Sequence, residues 1–227
     1  MRRLYLIPVR DACNSNCSFC YMKAKKQDIS KPQFIDPNKL EHIVDEIIAD
    51  IKEVEITGGG EPLLHPNISD IINIFIKRGI YTKLYTNGFL LKDTPKIDEV
   101  NISRVHWDSD INKRFYRSHN QNELNQVLDH YTKLSGKIRM QTILLKGAID
   151  SEDKALEFIK KHEDKVTTFM FRTLFRSCPL EQQNSVRYFS INHPKAKLDF
   201  TLDSYDRKLY FLNTDCQLLD YFDYGNK

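Results

Sequence analysis

Three cysteines, Cys13, Cys17 and Cys20, stand within DACNSNCSFCYMKA (residues 11–24), spaced C-x3-C-x2-C. The other two, Cys178 and Cys216, lie far downstream. An odd total of five is a poor basis for a disulfide framework, so the cluster reads as metal or redox chemistry in a reducing compartment. Three chemistries suit it. A structural zinc needs a fourth ligand, for which Cys178, Cys216, His65 and His106 are candidates. A redox pair at Cys17 and Cys20 leaves Cys13 unexplained. An iron–sulfur cluster on three protein thiolates leaves one iron open to a small molecule.

Further unusual segments follow at intervals: GGGEPLLHP (58–66), TNGFLL (86–91) and DSD (108–110). Each comes after a short β-rich run, and so does the cysteine cluster. The runs are 3–9, 53–57, 81–86, 103–107, 137–145 and 166–175. Helical patterns separate several of them. Leu40, Ile43, Val44, Ile47, Ile48 and Ile51 fall on one apolar face, with Asp36 as N-cap and Pro37 at the first helical position. A second helix, NISDIINIFIKRG, stops at Gly79; a third, NELNQVLDHYTKLSG, is expected to stop likewise at Gly136. A fourth opens on Ser151 as cap.

Strands alternating with helices predict a parallel sheet covered by helices. Six such units are too few for the eight of a closed barrel, so the expected fold class is α/β, a partial (β/α)6 TIM-like barrel. In such folds the loops after the strands share one rim, which brings the unusual segments together. Residues 1–177 form this barrel. Residues 178–227 are expected to be a C-terminal extension in which KLDFTL and KLYFL pair as a β-hairpin.

The 227 residues are 41% hydrophobic and 11% aromatic, as in an ordinary globular protein. Thirty-four basic residues against 31 acidic ones give a net charge of +3, too weak to argue for a nucleic-acid partner. No apolar run reaches membrane-spanning length, and the N-terminus lacks the h-region of a signal peptide. The expected setting is the cytoplasm, with no membrane partner.

Cys13, Cys17, Phe19 and Cys20 after the first strand, with Gly59, Gly60, Glu61 and Pro62 after the second, resemble the radical S-adenosylmethionine (SAM) superfamily. The resemblance covers roughly the first 175 residues. It implies that Cys13, Cys17 and Cys20 hold a [4Fe–4S] cluster whose open iron takes the amino and carboxylate groups of SAM. A flavodoxin- or ferredoxin-type reductant then drives cleavage of SAM to a 5′-deoxyadenosyl radical, which abstracts hydrogen from a substrate. The glycines permit close approach of the methionine end, and the Glu61 carboxylate is suited to the SAM ammonium. Phe19 lies near the adenine or packs in the core.

Later segments resemble the branch that contains the GTP cyclase of molybdenum cofactor biosynthesis. That likeness puts Thr86 and Asn87 on the site. It puts His106 where a serine commonly touches SAM, although a rim or core histidine is the competing reading. Phe175 takes a position that backs the adenine, or is plain core. Arg139 and Gln141 share one strand face. No residue is assigned a catalytic role.

With only Cys178 and Cys216 remaining, an auxiliary cluster is not expected. Nor is a leader-peptide-binding domain expected before the first strand. Both points favour a small-molecule or nucleotide substrate, with Arg172, Arg176 and Arg187 as anion contacts or as a solvated face. The alternatives are a glycyl-radical activating or carboxy-deazaguanine synthase-like enzyme of the same superfamily and, in a different class, a zinc-stabilised binding module.

Overall fold

The computed structural model describes residues 2–20, 31–118, 120–174, 189–199, 209–212, 215–216 and 218–219. Phe175, Arg176, Cys178 and Arg187 lie outside the described residues. The strands are β1 (Arg2–Leu6), β2 (Val9–Arg10), β3 (Gln33–Phe34), β4 (Ile51–Ile56), β5 (Tyr81–Thr86), β6 (Ile97–Ser103), β7 (Ser135–Ile143), β8 (Thr168–Arg172), β9 (Ala196–Asp199), β10 (Leu209–Leu212) and β11 (Leu218–Leu219). The helices are α1 (Pro37–Ile47), α2 (Ile68–Ile76), α3 (Ser109–Tyr116), α4 (Leu124–Leu134) and α5 (Glu152–His162).

One sheet runs in the order β11-β10-β1-β4-β5-β6-β7-β8-β9, open at both ends, with every neighbour parallel except β10 and β11. Its centre is the expected six-stranded partial barrel. The expected hairpin between KLDFTL and KLYFL does not form. β9 pairs with β8 at one edge, and β10 pairs with β1 at the other. Two short β runs joined by a turn-like DSYDR look like a hairpin in sequence. A half-open parallel sheet, however, has two edges to cover, and one strand goes to each.

The fourth strand also differs from expectation, lying at Ile97–Ser103 instead of 103–107. Its sequence, IDEVNIS, is polar at every second position, and that pattern marks a strand whose inner face is polar. The DSD segment caps a helix: Asp108 Oδ1 accepts from the Asp110 and Ile111 amides at 2.9 and 3.0 Å. Gly136 sits inside β7 instead of ending α4, pressed so close to the Asp98 carbonyl that a Cβ would lie 3.0 Å from it. The other helix signals hold. Asp36 caps α1 through the Asn38 amide, and Ser151 caps α5 through the Lys154 amide. Gly79 takes φ 67° beyond α2.

The two faces of the sheet are chemically opposite. Leu4, Leu6, Val54, Ile56, Leu84, Val100, Ile102, Met140, Phe169 and Phe171 face the helices and form one core with α1, α2, α4 and α5. The alternate residues face the concave side and are mostly polar or charged. Arg3 pairs with Glu53 at 2.6 Å, and Lys83 with the same carboxylate at 2.8 Å. Lys83 also approaches Glu55 at 3.6 Å, and Arg139 meets Glu99 at 3.3 Å. Burying carboxylates is costly without partners, so these cations are what let an acidic concave face exist.

Candidate active site

The loops after β2 and β4 are laced to one another by backbone hydrogen bonds. The Asp11 amide donates to the Gly59 carbonyl at 3.1 Å, and the Glu61 amide donates to the Ala12 carbonyl at 2.9 Å. A Cβ on Gly60 would stand 2.1 Å from the Ala12 oxygen, so only glycine permits this crossing. The cysteine loop also docks on the end of α3. The Asn16 and Ser18 amides donate to the Tyr116 and Phe115 carbonyls, both at 2.9 Å, satisfying acceptors that the helix itself leaves open.

Cys13, Cys17 and Cys20 carry free thiols, Cys13 exposed and the others half-buried. The Ser15 hydroxyl lies 3.3 Å from both the Cys13 and Cys17 sulfurs, so these two sulfurs are within twice that distance of each other. Among the described residues, no three His, Cys, Asp or Glu side chains converge on a single metal ion. A tetrahedral zinc needs all its sulfurs about 2.3 Å from one centre. A cluster ligated at three different irons takes thiolates at separate corners and does not need its sulfurs to meet at one point. Of the candidate fourth zinc ligands, His65 is already engaged. His65 gives Nε2–H to the Ile35 carbonyl at 2.8 Å and accepts the Asn67 amide on Nδ1 at 3.1 Å, so both nitrogens are occupied.

Glu61 is 2% exposed. One carboxylate oxygen accepts from the Leu63 amide at 3.2 Å and from Thr86 Oγ1 at 2.8 Å; the other accepts from the Asn87 amide at 2.9 Å. Burial raises its pKa, and the three donors oppose the rise. The carboxylate therefore clamps the loop after β4 to the loop after β5. Asn87 is left with its side-chain amide on Asn14 Oδ1 at 2.6 Å and 4.0 Å from the Cys13 sulfur.

Beneath these loops lies a cavity of about 300 Å³. All three cysteines line it, with Phe19, Gly58, Gly60, Glu61, Thr86 and Asn87. Its strand-side floor includes Tyr85, Asn101, Ser103, Gln141 and Arg172. Gly59 stands just behind the wall, packed on the Val9 carbonyl. His106 does not line the cavity. Its ring stacks on Trp107 with centroids 3.8 Å apart, and its Nδ1 accepts the Asp108 amide. Arg139 turns to Glu99, deeper along the same face as Gln141.

Several residues that shape the site carry no sequence motif. Tyr116 meets Phe19 and Phe89 edge-on at 5.2 and 5.0 Å and donates its hydroxyl to Ser103 at 3.1 Å. Arg104 is 1% exposed and lies 4.5 Å over the Phe89 ring. It donates to the Ser103 and Asn122 carbonyls, and burial pulls its pKa down to about 10. The only advance signal for either was position, within the segments after β6.

Fold and site together define an open α/β barrel that gathers three thiols and a glycine-rich turn over one cavity. The chain belongs to the radical SAM superfamily, whose family model matches residues 7–159. It is therefore an enzyme of the class that works with a [4Fe–4S] cluster and SAM. Among curated proteins it is 31% identical over 158 residues to a GTP 3′,8-cyclase of Aquifex aeolicus, covering 64% of this chain and 49% of that one. Among solved structures it resembles Streptococcus suis SuiB bound to precursor peptide SuiA, with TM-score 0.72, 14% identity and coverage of 96% of this chain and 59% of that one. It also resembles anSMEcpe with bound AdoMet, with TM-score 0.57, 16% identity and coverage of 76% and 51%. The chain spans about half the length of the curated relatives it matches. No described helix is long and apolar enough to cross a membrane.

Proposed function

We propose that this enzyme takes hydrogen from a small-molecule or nucleotide substrate held in the cavity beneath the cysteine loop. Cys13, Cys17 and Cys20 hold the cluster. The Gly58–Gly60 backbone, Thr86 and Asn87 take the methionine end of SAM, and Phe19 flanks its adenine. When bound, the cluster and SAM supply one-electron cleavage of SAM and, through it, a hydrogen-abstracting centre. The chain's own work is placement. Glu61 fixes two loops relative to each other, and Phe19, Phe89 and Tyr116 wall one side with apolar surface that excludes water.

The observation that carries this reading is the polar strand-side floor that the cysteine-lined cavity contains. A nucleotide is further supported by the relatives named GTP 3′,8-cyclase. A flavodoxin or ferredoxin in the cytoplasm would supply the electron.

The test is hydrogen transfer. The anaerobically reconstituted enzyme is incubated with SAM, reductant and nucleotides deuterated on ribose or base. Deuterium in the 5′-deoxyadenosine supports the reading. Deuterium taken only from a peptide supplied in parallel would overturn it.

A further inference from the structure

The floor of the cavity has a polarity of its own. Tyr85 and Asn101 are cross-strand partners on β5 and β6, and both line the cavity. Tyr85 spends its hydroxyl proton on Glu55, donating to Oε2 at 2.8 Å. Asn101 donates its amide Nδ2 to Glu99 Oε1 at 3.1 Å. A carboxylate only accepts, so this bond fixes which end of the Asn101 amide is nitrogen. The other end, Oδ1, is buried without a hydrogen-bond partner, in a residue only 1% exposed.

Both neighbours thus turn their donors down the strands toward buried carboxylates, and the Asn101 oxygen is left without a donor in a residue that lines the cavity. An unsatisfied buried acceptor costs about 1–3 kcal/mol, and a ligand that donates to it recovers that energy. Glu55 and Glu99 have their own cations, Lys83 with Arg3 and Arg139 respectively, so neither carboxylate leaves an uncompensated negative charge beneath the pair. An uncharged donor suits it better than an ammonium group.

We infer that Tyr85 and Asn101 form a substrate subsite for an uncharged N–H or O–H group, such as a carboxamide, a nucleobase amino group or a sugar hydroxyl. This rests on the small-molecule reading of the cavity and adds the chemistry that the substrate must present. Glu55 and Glu99 are positioning residues that hold the two acceptors with their oxygens outward.

The experiment uses the cluster-loaded protein with SAM bound and two probes of like shape, acetamide and acetone. Only acetamide carries N–H donors. Anaerobic crystals are soaked with each, and binding in solution is measured by ligand-detected NMR. Acetamide should sit with its nitrogen on Asn101 Oδ1. Acetone should bind about fivefold or more weakly, the loss expected for one buried hydrogen bond. Asn101→Leu should remove the preference. Tyr85→Phe, which keeps the ring, should weaken acetamide alone. Equal binding of the two probes would overturn the inference, as would acetamide absent from the floor or a SAM atom seated on Asn101 Oδ1. These readouts are of binding, so they are separate from whether deuterium reaches 5′-deoxyadenosine.

Discussion

The backbone amide of Asn87 donates to the Glu61 carboxylate at 2.9 Å, joining two loops that are separated by a helix and a strand in the chain. Thr86 Oγ1 and the Leu63 amide complete the same carboxylate's set of donors. The glutamate of the glycine-rich turn is therefore the fastener of the rim, holding Asn87 beside the cysteine loop.

That relationship makes Glu61→Gln informative. An amide has one accepting oxygen where the carboxylate has two, so at least the Asn87 amide faces an –NH2 group and loses its partner. The expected cost is about 1–3 kcal/mol of stability, with weaker SAM binding by the loaded protein. Thermal melting and equilibrium dialysis with SAM measure the two effects. Unchanged values for both would show that the clamp is dispensable.

Ser15 supplies a second prediction. Its hydroxyl is within 3.3 Å of both the Cys13 and Cys17 sulfurs. Hydrogen bonds to ligand sulfurs raise the potential of iron–sulfur clusters by stabilising the more negative reduced state. Ser15→Ala should load a full cluster and shift its midpoint potential to more negative values in an EPR-monitored titration. A midpoint equal to that of the wild type would place the hydroxyl elsewhere in the loaded protein.

His162 on α5 makes one acid-sensitive contribution to stability. It is 5% exposed, packs edge-on against Phe158 at 5.4 Å, and neither ring nitrogen has a hydrogen-bond partner. Burial pulls its pKa from 6.5 to about 4. The folded protein keeps the ring neutral while the unfolded chain protonates it below pH 6.5. The contribution of this group is thus fully present above that value and is lost as pH falls toward about 4. His162→Leu should flatten the fall in stability between those limits and raise stability at neutral pH by about 1 kcal/mol or more. Urea unfolding at a series of pH values tests this, and an unaltered slope would contradict it.

The cysteine spacing, the glycine-rich turn and the periodic helices were all legible in the sequence, because each is a local pattern with a local physical cause. Asp36, Ser151 and Gly79 act where a cap or a left-handed residue is needed. The strand at Ile97–Ser103 was not legible. Its inward residues Glu99, Asn101 and Ser103 are polar because they face a concave surface built from other strands. Gly136 read as a helix stop, whereas its smallness serves the approach of Asp98. The partners of β9 and β10 depend on which sheet edges stand open, a property of the whole assembly. Arg104 and Tyr116 escaped for a similar reason: each packs on Phe89, distant in sequence and adjacent in space.

The most direct test of the account is chemical. The protein is reconstituted with iron and sulfide without oxygen, then given SAM and dithionite, and 5′-deoxyadenosine and methionine are measured by mass spectrometry beside a Cys17→Ala control. The account predicts about four irons per chain and both products from the wild type, with neither cluster nor products from the variant. Products formed equally by the Cys17→Ala protein, or an intact wild-type cluster that leaves SAM uncut even with a nucleotide present, would contradict it.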